Sequence, residues 1–252
     1  MQDESRPGII PSDNQHILKV KWNDIDQLEN LLQDQGDKIA CFISSPYDHP
    51  VSRDNSLPED GYWKKVTSLC KKYGVLTIVD DVRAGFRINL KGSNVTFGFS
   101  PDMICFGKAI ANGHPLAALV GTNELKEAAE RVYFTGTQFF SAPPMAAAIA
   151  TLNELEKVDA PSKLKQYGED LNNRLVQVAQ KKGFNLIASG IPSMPYYRLE
   201  GVSFETHFQW IDECVKRGVY MLGYHNHFIS LAHSLEDIDF IENAASQAFD
   251  SL

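Results

Sequence analysis

Four short segments, "IACFIS" (39 to 44), "VLTIVD" (75 to 80), "MICFG" (103 to 107) and "PLAALVG" (115 to 121), are apolar at nearly every position. A strand with one wet face alternates apolar and polar residues. A strand buried on both faces has no reason to alternate. Such strands need helical cover, and helical patterns stand between them. "NDIDQLENLLQDQG" places Ile25, Leu28, Leu31 and Leu32 on one helical face, with Gly36 as its stop. "GYWKKVTSLCKKYG" does the same with Tyr62, Val66, Leu69, Cys70 and Tyr73, closed by Gly74. The alternation predicts an α/β fold with a mostly parallel sheet and flanking helices.

From about Ala142 the pattern changes. "APPMAAAIATLNELEKV" and "APSKLKQYGEDLNNRLVQVAQKKG" read as long helices, the second very polar on one face. Beyond them come short strand candidates ("YYRLEGVSF", "VYMLG", "HFISLAH") and two more helices, the last with Ser234 as N-cap and Asp237 at the capping-box position. The expected division is a large domain over 1–154 and a small C-terminal α/β domain over 155–252.

Composition narrows the partners. The chain of 252 residues is 43% hydrophobic, enough for a sizeable core, and carries 24 Lys and Arg against 32 Asp and Glu. No basic cluster tracks a phosphate backbone, so nucleic acid is not an expected partner. No apolar run approaches the roughly 20 residues of a membrane helix. The polar start "MQDESRPGIIPSDNQH" resembles neither a signal nor a transit peptide. Cys41, Cys70, Cys105 and Cys214 are scattered and read as reduced thiols, so a soluble cytoplasmic protein is expected.

The chemistry gathers where "VLTIVD" ends, at Asp80 and Asp81. Open α/β folds bind ligands at the carboxyl edge of the sheet, although a lone strand-end aspartate reads best as a turn or cap residue. A magnesium aspartate of the Walker type requires a GxxxxGK[ST] loop, and none exists here. A phospho-acceptor receiver needs a further aspartate before a distant lysine, whereas Lys108 follows Asp80 with one strand candidate between them. A lysine just past one strand and an aspartate closing another suit a different task. They match the Schiff-base lysine and the pyridinium partner of pyridoxal phosphate chemistry.

Taken together, "VDDVRAGFR", "PDMICFGKAIANGHPLAAL" and "TGTQFFSAPPMAAAIATL", in this order, resemble the class III aminotransferases of fold-type I, including the glutamate-1-semialdehyde aminomutase branch. "GIIPSDNQHILKVKWNDIDQLENLL" and "HNHFISLAHSLEDID" extend the resemblance along the chain. It implies the C-terminal part of a fold-type I large domain plus a small C-terminal domain, acting on an amino donor and a carbonyl acceptor. Lys108 then matches the lysine that binds the cofactor aldehyde and later moves the proton. Asp80 matches the carboxylate facing the pyridine nitrogen, and Val82 the aliphatic residue packed on the ring. Thr137 matches the hydroxyl donated to the cofactor phosphate of a neighbouring subunit, which implies a homodimer.

Other residues carry plainer readings. Asp81 would face away from Asp80 in an extended segment and is read as structural. Gly85 and Arg87 are read as holding a turn, and "HNH" (225 to 227) as strand-edge packing or pocket lining rather than a metal site. The resemblance also implies a phosphate-binding turn upstream of the matched part. The expectation is therefore an N-terminally truncated or split enzyme working with a complementary N-terminal half. Ser45 precedes Pro46 where the family usually has glutamate. The alternative is a catalytically inactive fragment or pseudoenzyme acting as an assembly subunit. Transamination, aminomutation and racemisation share this machinery and stay open.

Overall fold

The computed structural model describes residues 11–252. Its helices and strands follow the sequence pattern closely up to residue 200. Helix α1, Ile25–Gln35, is capped by the Asp24 carboxylate, which accepts from the Gln27 amide at 2.9 Å. Strand β1, Cys41–Ser44, is followed by a long loop and then by helix α2, Tyr62–Lys72. Strand β2 is Leu76–Asp80, α3 is the single turn Ser93–Thr96, and β3 is Met103–Phe106. A 3-10 turn, Lys108–Ala111, leads to β4, Ala118–Gly121, and the short α4, Lys126–Arg131. The long helices are α5, Ala142–Lys157, and α6, Ala160–Lys181, both with proline in their first turn, where no amide is missed.

The first sheet has the order β1-β2-β3-β4. β1, β2 and β3 are parallel, in register Cys41 to Leu76 and Ile78 to Met103. β4 returns antiparallel to β3, since the turn between them is too short for a crossover helix. The parallel strands therefore deliver Ser44, Asp80 and Phe106 to one edge. Leu28 and Leu32 of α1 and Trp63, Val66 and Cys70 of α2 pack with Val75, Val79 and Phe99, and Trp63 stacks on Phe99 at 4.2 Å. α5 packs on the Lys108–Ala111 turn, where Ala148 joins Phe86, Ile110 and Ala111. That contact fixes the turn against a rigid element.

The second sheet pairs β5, Asn185–Ser189, with β6, Tyr196–Glu200, antiparallel. Helices α6, α7 (Phe204–Lys216) and α8 (Leu235–Phe249) enclose a separate core around Leu175, Leu186, Tyr197, Trp210 and Phe249. The Ser234–Asp237 capping box is present at the start of α8. Two expectations fail here. "VYMLG" and "HFISLAH" form no strand, while β5, with no clear alternation in sequence, does. The reason lies in where the backbone amides go. His227 donates to the Pro195 carbonyl at 2.7 Å, Ile229 to Ser193 at 3.0 Å, and Leu222 to the His227 ring at 3.2 Å, so the segment is tied by single bonds rather than by a ladder. Among the described residues no helix is long and apolar enough to cross a membrane, and all four cysteines are free.

Candidate active site

Asp80 is the last residue of β2 and sits opposite Cys105 of β3. Its side chain is exposed, and its Oδ1 accepts the Val82 amide at 3.2 Å. The chain does not continue as a strand. It folds into successive turns over 81–88, closed by the Gly85 amide on the Asp81 carbonyl at 2.8 Å. Val82 is consequently placed beside Asp80 by an aspartate-initiated turn and not by continuation of the strand. A Cβ on Gly107 would lie 3.1 Å from Val82 Cγ1, so the two strand ends touch there, and the absence of a side chain at 107 is what allows it.

Lys108 follows immediately, exposed, with φ 47°. A left-handed lysine costs about 1 kcal/mol or more, and such strain persists only where the surroundings impose it. Its surroundings are the close Gly107–Val82 approach just before it and α5, which packs on the turn it begins. Among the described residues Lys108 Nζ has no hydrogen bond or ion pair, and Asp80 Oδ2 is likewise uncommitted. Two opposite charges at neighbouring strand ends are thus held apart, each with its reactive atom free. An amine and a carboxylate with free polar atoms on adjacent strand ends are groups that can bind a ligand.

Asp81 turns the other way and is buried at 1% exposure. Its Oδ1 accepts from Ser93 Oγ at 2.6 Å and its Oδ2 from the Ser93 amide at 2.8 Å. Burial raises its carboxyl to about 6, against the lowering effect of those two bonds. It braces the turn that carries Val82.

Several residues near this edge escaped the sequence reading. Arg83 NH1 donates to Asn226 Oδ1 at 2.9 Å, to the His49 carbonyl at 3.2 Å and to His49 Nδ1 at 3.0 Å. An arginine cannot accept, so Nδ1 is the acceptor and the neutral ring carries its proton on Nε2. Burial and then Arg83 hold His49 down at about 4. Asn226 is the centre of the "HNH" segment, and among the described residues no cluster of potential metal ligands forms. His227 is also lowered to about 4, chiefly by burial. Thr137 lies exposed in the turn closed by Phe139 on Gly136, with no hydrogen bond to Asp80, Val82 or Lys108. Ser45 follows β1 at the same sheet edge. A signal for Arg83 and His49 did exist: both stand just past strand ends that point to one edge.

A family model described as "Aminotransferase class-III" matches residues 8–247. The aminopentol aminotransferase of Sphingopyxis macrogoltabida is 35% identical over 246 residues, covering 97% of this chain and 58% of that protein. The glutamate-1-semialdehyde 2,1-aminomutase of Syntrophobacter fumaroxidans is 30% identical over 259 residues, covering 96% and 59%. Among solved structures, the PLP internal aldimine form of the FumI protein of Sphingopyxis sp. MTA144 superposes with a TM-score of 0.94 at 35% identity, covering 97% of this chain and 59% of that one. An omega-transaminase from Sphaerobacter thermophilus superposes at 0.85 with 18% identity, covering 98% and 60%, and shares the fold. The chain spans about three fifths of the length of the curated relatives it matches.

Proposed function

The chain belongs to the class III aminotransferases, and from that premise we propose that it carries the lysine and the acidic partner of a pyridoxal-phosphate-dependent amino transfer between an amino donor and a carbonyl acceptor. The observation that carries this reading is the pair at the sheet edge. Asp80 Oδ2 and Lys108 Nζ are on adjacent strand ends, uncommitted and unpaired with each other, while Val82 donates its amide to Asp80 and its side chain lies against Gly107. The donor set fits the group: an amine for an aldehyde, a carboxylate for a ring nitrogen, and an apolar wall for the ring. When bound, pyridoxal phosphate supplies an electron-accepting ring that stabilises the charge left on a deprotonated amine-bearing carbon. Lys108 Nζ would bind the aldehyde carbon, and once displaced would take and return the proton at the substrate carbon. Asp80 would keep the ring nitrogen protonated by its negative charge. Val82 would hold the ring plane.

The finer features follow from the family likeness. Thr137, exposed in this chain, would reach the cofactor phosphate of a second copy in a homodimer. A complementary segment of the kind that the longer relatives carry would complete the phosphate site. The separate cores around Val66 and around Leu175 support two units, with Leu155 of α5 still packed with the first part, and four free thiols support a cytoplasmic setting. The rival reading, a non-catalytic assembly subunit, draws on Ser45 at a position where the resemblance implies a carboxylate.

Absorbance decides between them. Pyridoxal phosphate added to the chain, alone or with the complementary segment of a relative, is expected to give a Schiff-base band that is absent in Lys108→Ala. No band under either condition refutes the enzyme reading. Light scattering tests the dimer separately.

A further inference from the structure

Residues 222–228 run between two buried members of the C-terminal core, Met221 and Ile229, and cross over to the Asp80 turn. Polar bonds to other elements hold them there. The Gly223 carbonyl accepts from the Tyr196 hydroxyl of β6 at 3.2 Å and from His207 Nε2 of α7 at 2.9 Å. The Tyr224 carbonyl accepts the Ser52 amide at 2.8 Å, and Asn226 Oδ1 accepts from Arg83 NH1 at 2.9 Å.

Two imidazoles complete the arrangement, each as an acceptor. Leu222 donates its amide to His227 Nε2 at 3.2 Å, which closes the segment on itself. Arg83 NH1 donates to His49 Nδ1 at 3.0 Å, so His49 helps to place the guanidinium that holds Asn226. Only a neutral imidazole has a lone pair with which to accept. The protons therefore sit on His227 Nδ1 and His49 Nε2, both buried with no hydrogen-bond partner. A charged ring would turn an N–H toward the Leu222 amide or the Arg83 guanidinium, losing one bond and gaining repulsion.

The packed elements do not offset that charge. Around His227 stand His207 of α7, His225 of the segment itself and the Tyr197 ring of β6, none of them anionic. Arg198 of β6, which acts on His207, is a further cation and is paired with Asp54. Around His49 stand Arg83, Asp80, His225 and the Tyr47 ring. Asp80 is the one carboxylate acting on His49, and Arg83, in direct contact, outweighs it. Asp48 is paired with Arg53 at 3.0 Å, Asp81 with Ser93, and Arg87 lies over the Phe228 ring.

We propose that residues 222–228 form an acid-released latch: neutral His49 and His227 hold the segment across the loop after β1 and the Asp80 turn, and their protonation opens it while both cores stay closed. Met221 and Ile229 remain as its anchors. Opening frees Arg83 from Asn226 and so loosens the turn that carries Val82 beside Asp80, whether or not that edge is a place of reaction.

The test is native-state amide exchange of the full chain at about pH 7.5 and about pH 5, with and without urea below the unfolding transition. A histidine at 6.5 in the open segment and about 4 in the closed one favours opening as pH falls below 6.5, by about tenfold or more at about pH 5. Protection of the Leu222, His227 and Ile229 amides, corrected for the intrinsic rate, should fall by at least that factor. Their exchange should not respond to urea, as local opening exposes little surface, whereas that of α6 should. His49→Asn and His227→Gln keep an acceptor at the same place without the charge, so each should remove its share of the pH dependence and the double variant all of it. Protection that is flat with pH, segment amides that share the urea dependence of α6, or a double variant that still responds to acid would each overturn the proposal. Should a variant fail to fold, nitrogen NMR of the rings in the unaltered chain decides. At neutral pH it should show the proton on Nε2 of His49 and on Nδ1 of His227, and either ring found charged there overturns the latch.

Discussion

Asp81→Asn should make the protein more resistant to unfolding at neutral pH and remove part of its pH dependence. The carboxyl is raised from 3.8 to about 6 because it is buried. A folded state that binds a proton more tightly than the unfolded chain is stabilised where that proton is present. The contribution is therefore complete below about 3.8 and is lost as pH rises through about 6. At 1.36 kcal/mol per unit the full swing is ~3 kcal/mol, of which ~2 kcal/mol falls between pH 4.5 and 7.5. Asparagine keeps the network: its oxygen accepts from the Ser93 amide, and the Ser93 hydroxyl can turn to accept from its nitrogen. His49 and His227, both lowered to about 4, act in the opposite sense, losing stability as pH falls below 6.5. They are the same in both proteins and cancel in the difference. Urea unfolding followed by Trp22 and Trp63 fluorescence in a Trp210→Phe background reads this region. With roughly 1–3 kcal/mol per molar of urea, the midpoint difference should grow by on the order of 1 M across that pH range. A difference that stays flat with pH refutes the reasoning, because burial of the charge would then not be what Asp81 contributes. Asp81→Ala should lower stability at every pH by about 1–3 kcal/mol, since it strands the Ser93 amide.

Gly168 of α6 admits no side chain: a Cβ there would lie 2.0 Å from the Pro192 carbonyl oxygen. Gly168→Ala is expected to cost about 2 kcal/mol or more despite alanine's helix preference, read as a lowered melting temperature. Gly107→Ala, at φ −172°, is free of backbone strain but must push Val82 by a few tenths of an ångström. It should weaken pyridoxal phosphate uptake several-fold in an absorbance titration while leaving the melting temperature nearly unchanged. A loss of fold instead would show that Gly107 serves packing alone. Arg198 grips Asp54 through two bonds of 2.8 Å, tying the loop after β1 to β6. Arg198→Met should cost about 1 kcal/mol, discounted for partial exposure, and should speed amide exchange in residues 48–56 more than in β2.

The elements were legible because each rests on local chemistry. Ser234 announces its helix through bonds made within three residues, and "VLTIVD" declares a buried strand by refusing to alternate. The tail was less legible for the converse reason. Its amides are satisfied by Pro195, Ser193 and the His227 ring, partners that depend on how distant segments meet. "HFISLAH" therefore looks like a strand and is not one.

By itself, the sequence determined an α/β sheet with Asp80 and Lys108 at strand ends, since side-chain pattern dictates which segments are buried and where they stop. Only the tertiary structure decided what those ends meet. It turned Val82 out of the strand, set Gly107 against it, buried Asp81 on a serine twelve residues away, and joined Arg83 to Asn226 across 143 residues. Contacts over such separations form only when independent elements have packed, and no local pattern records them.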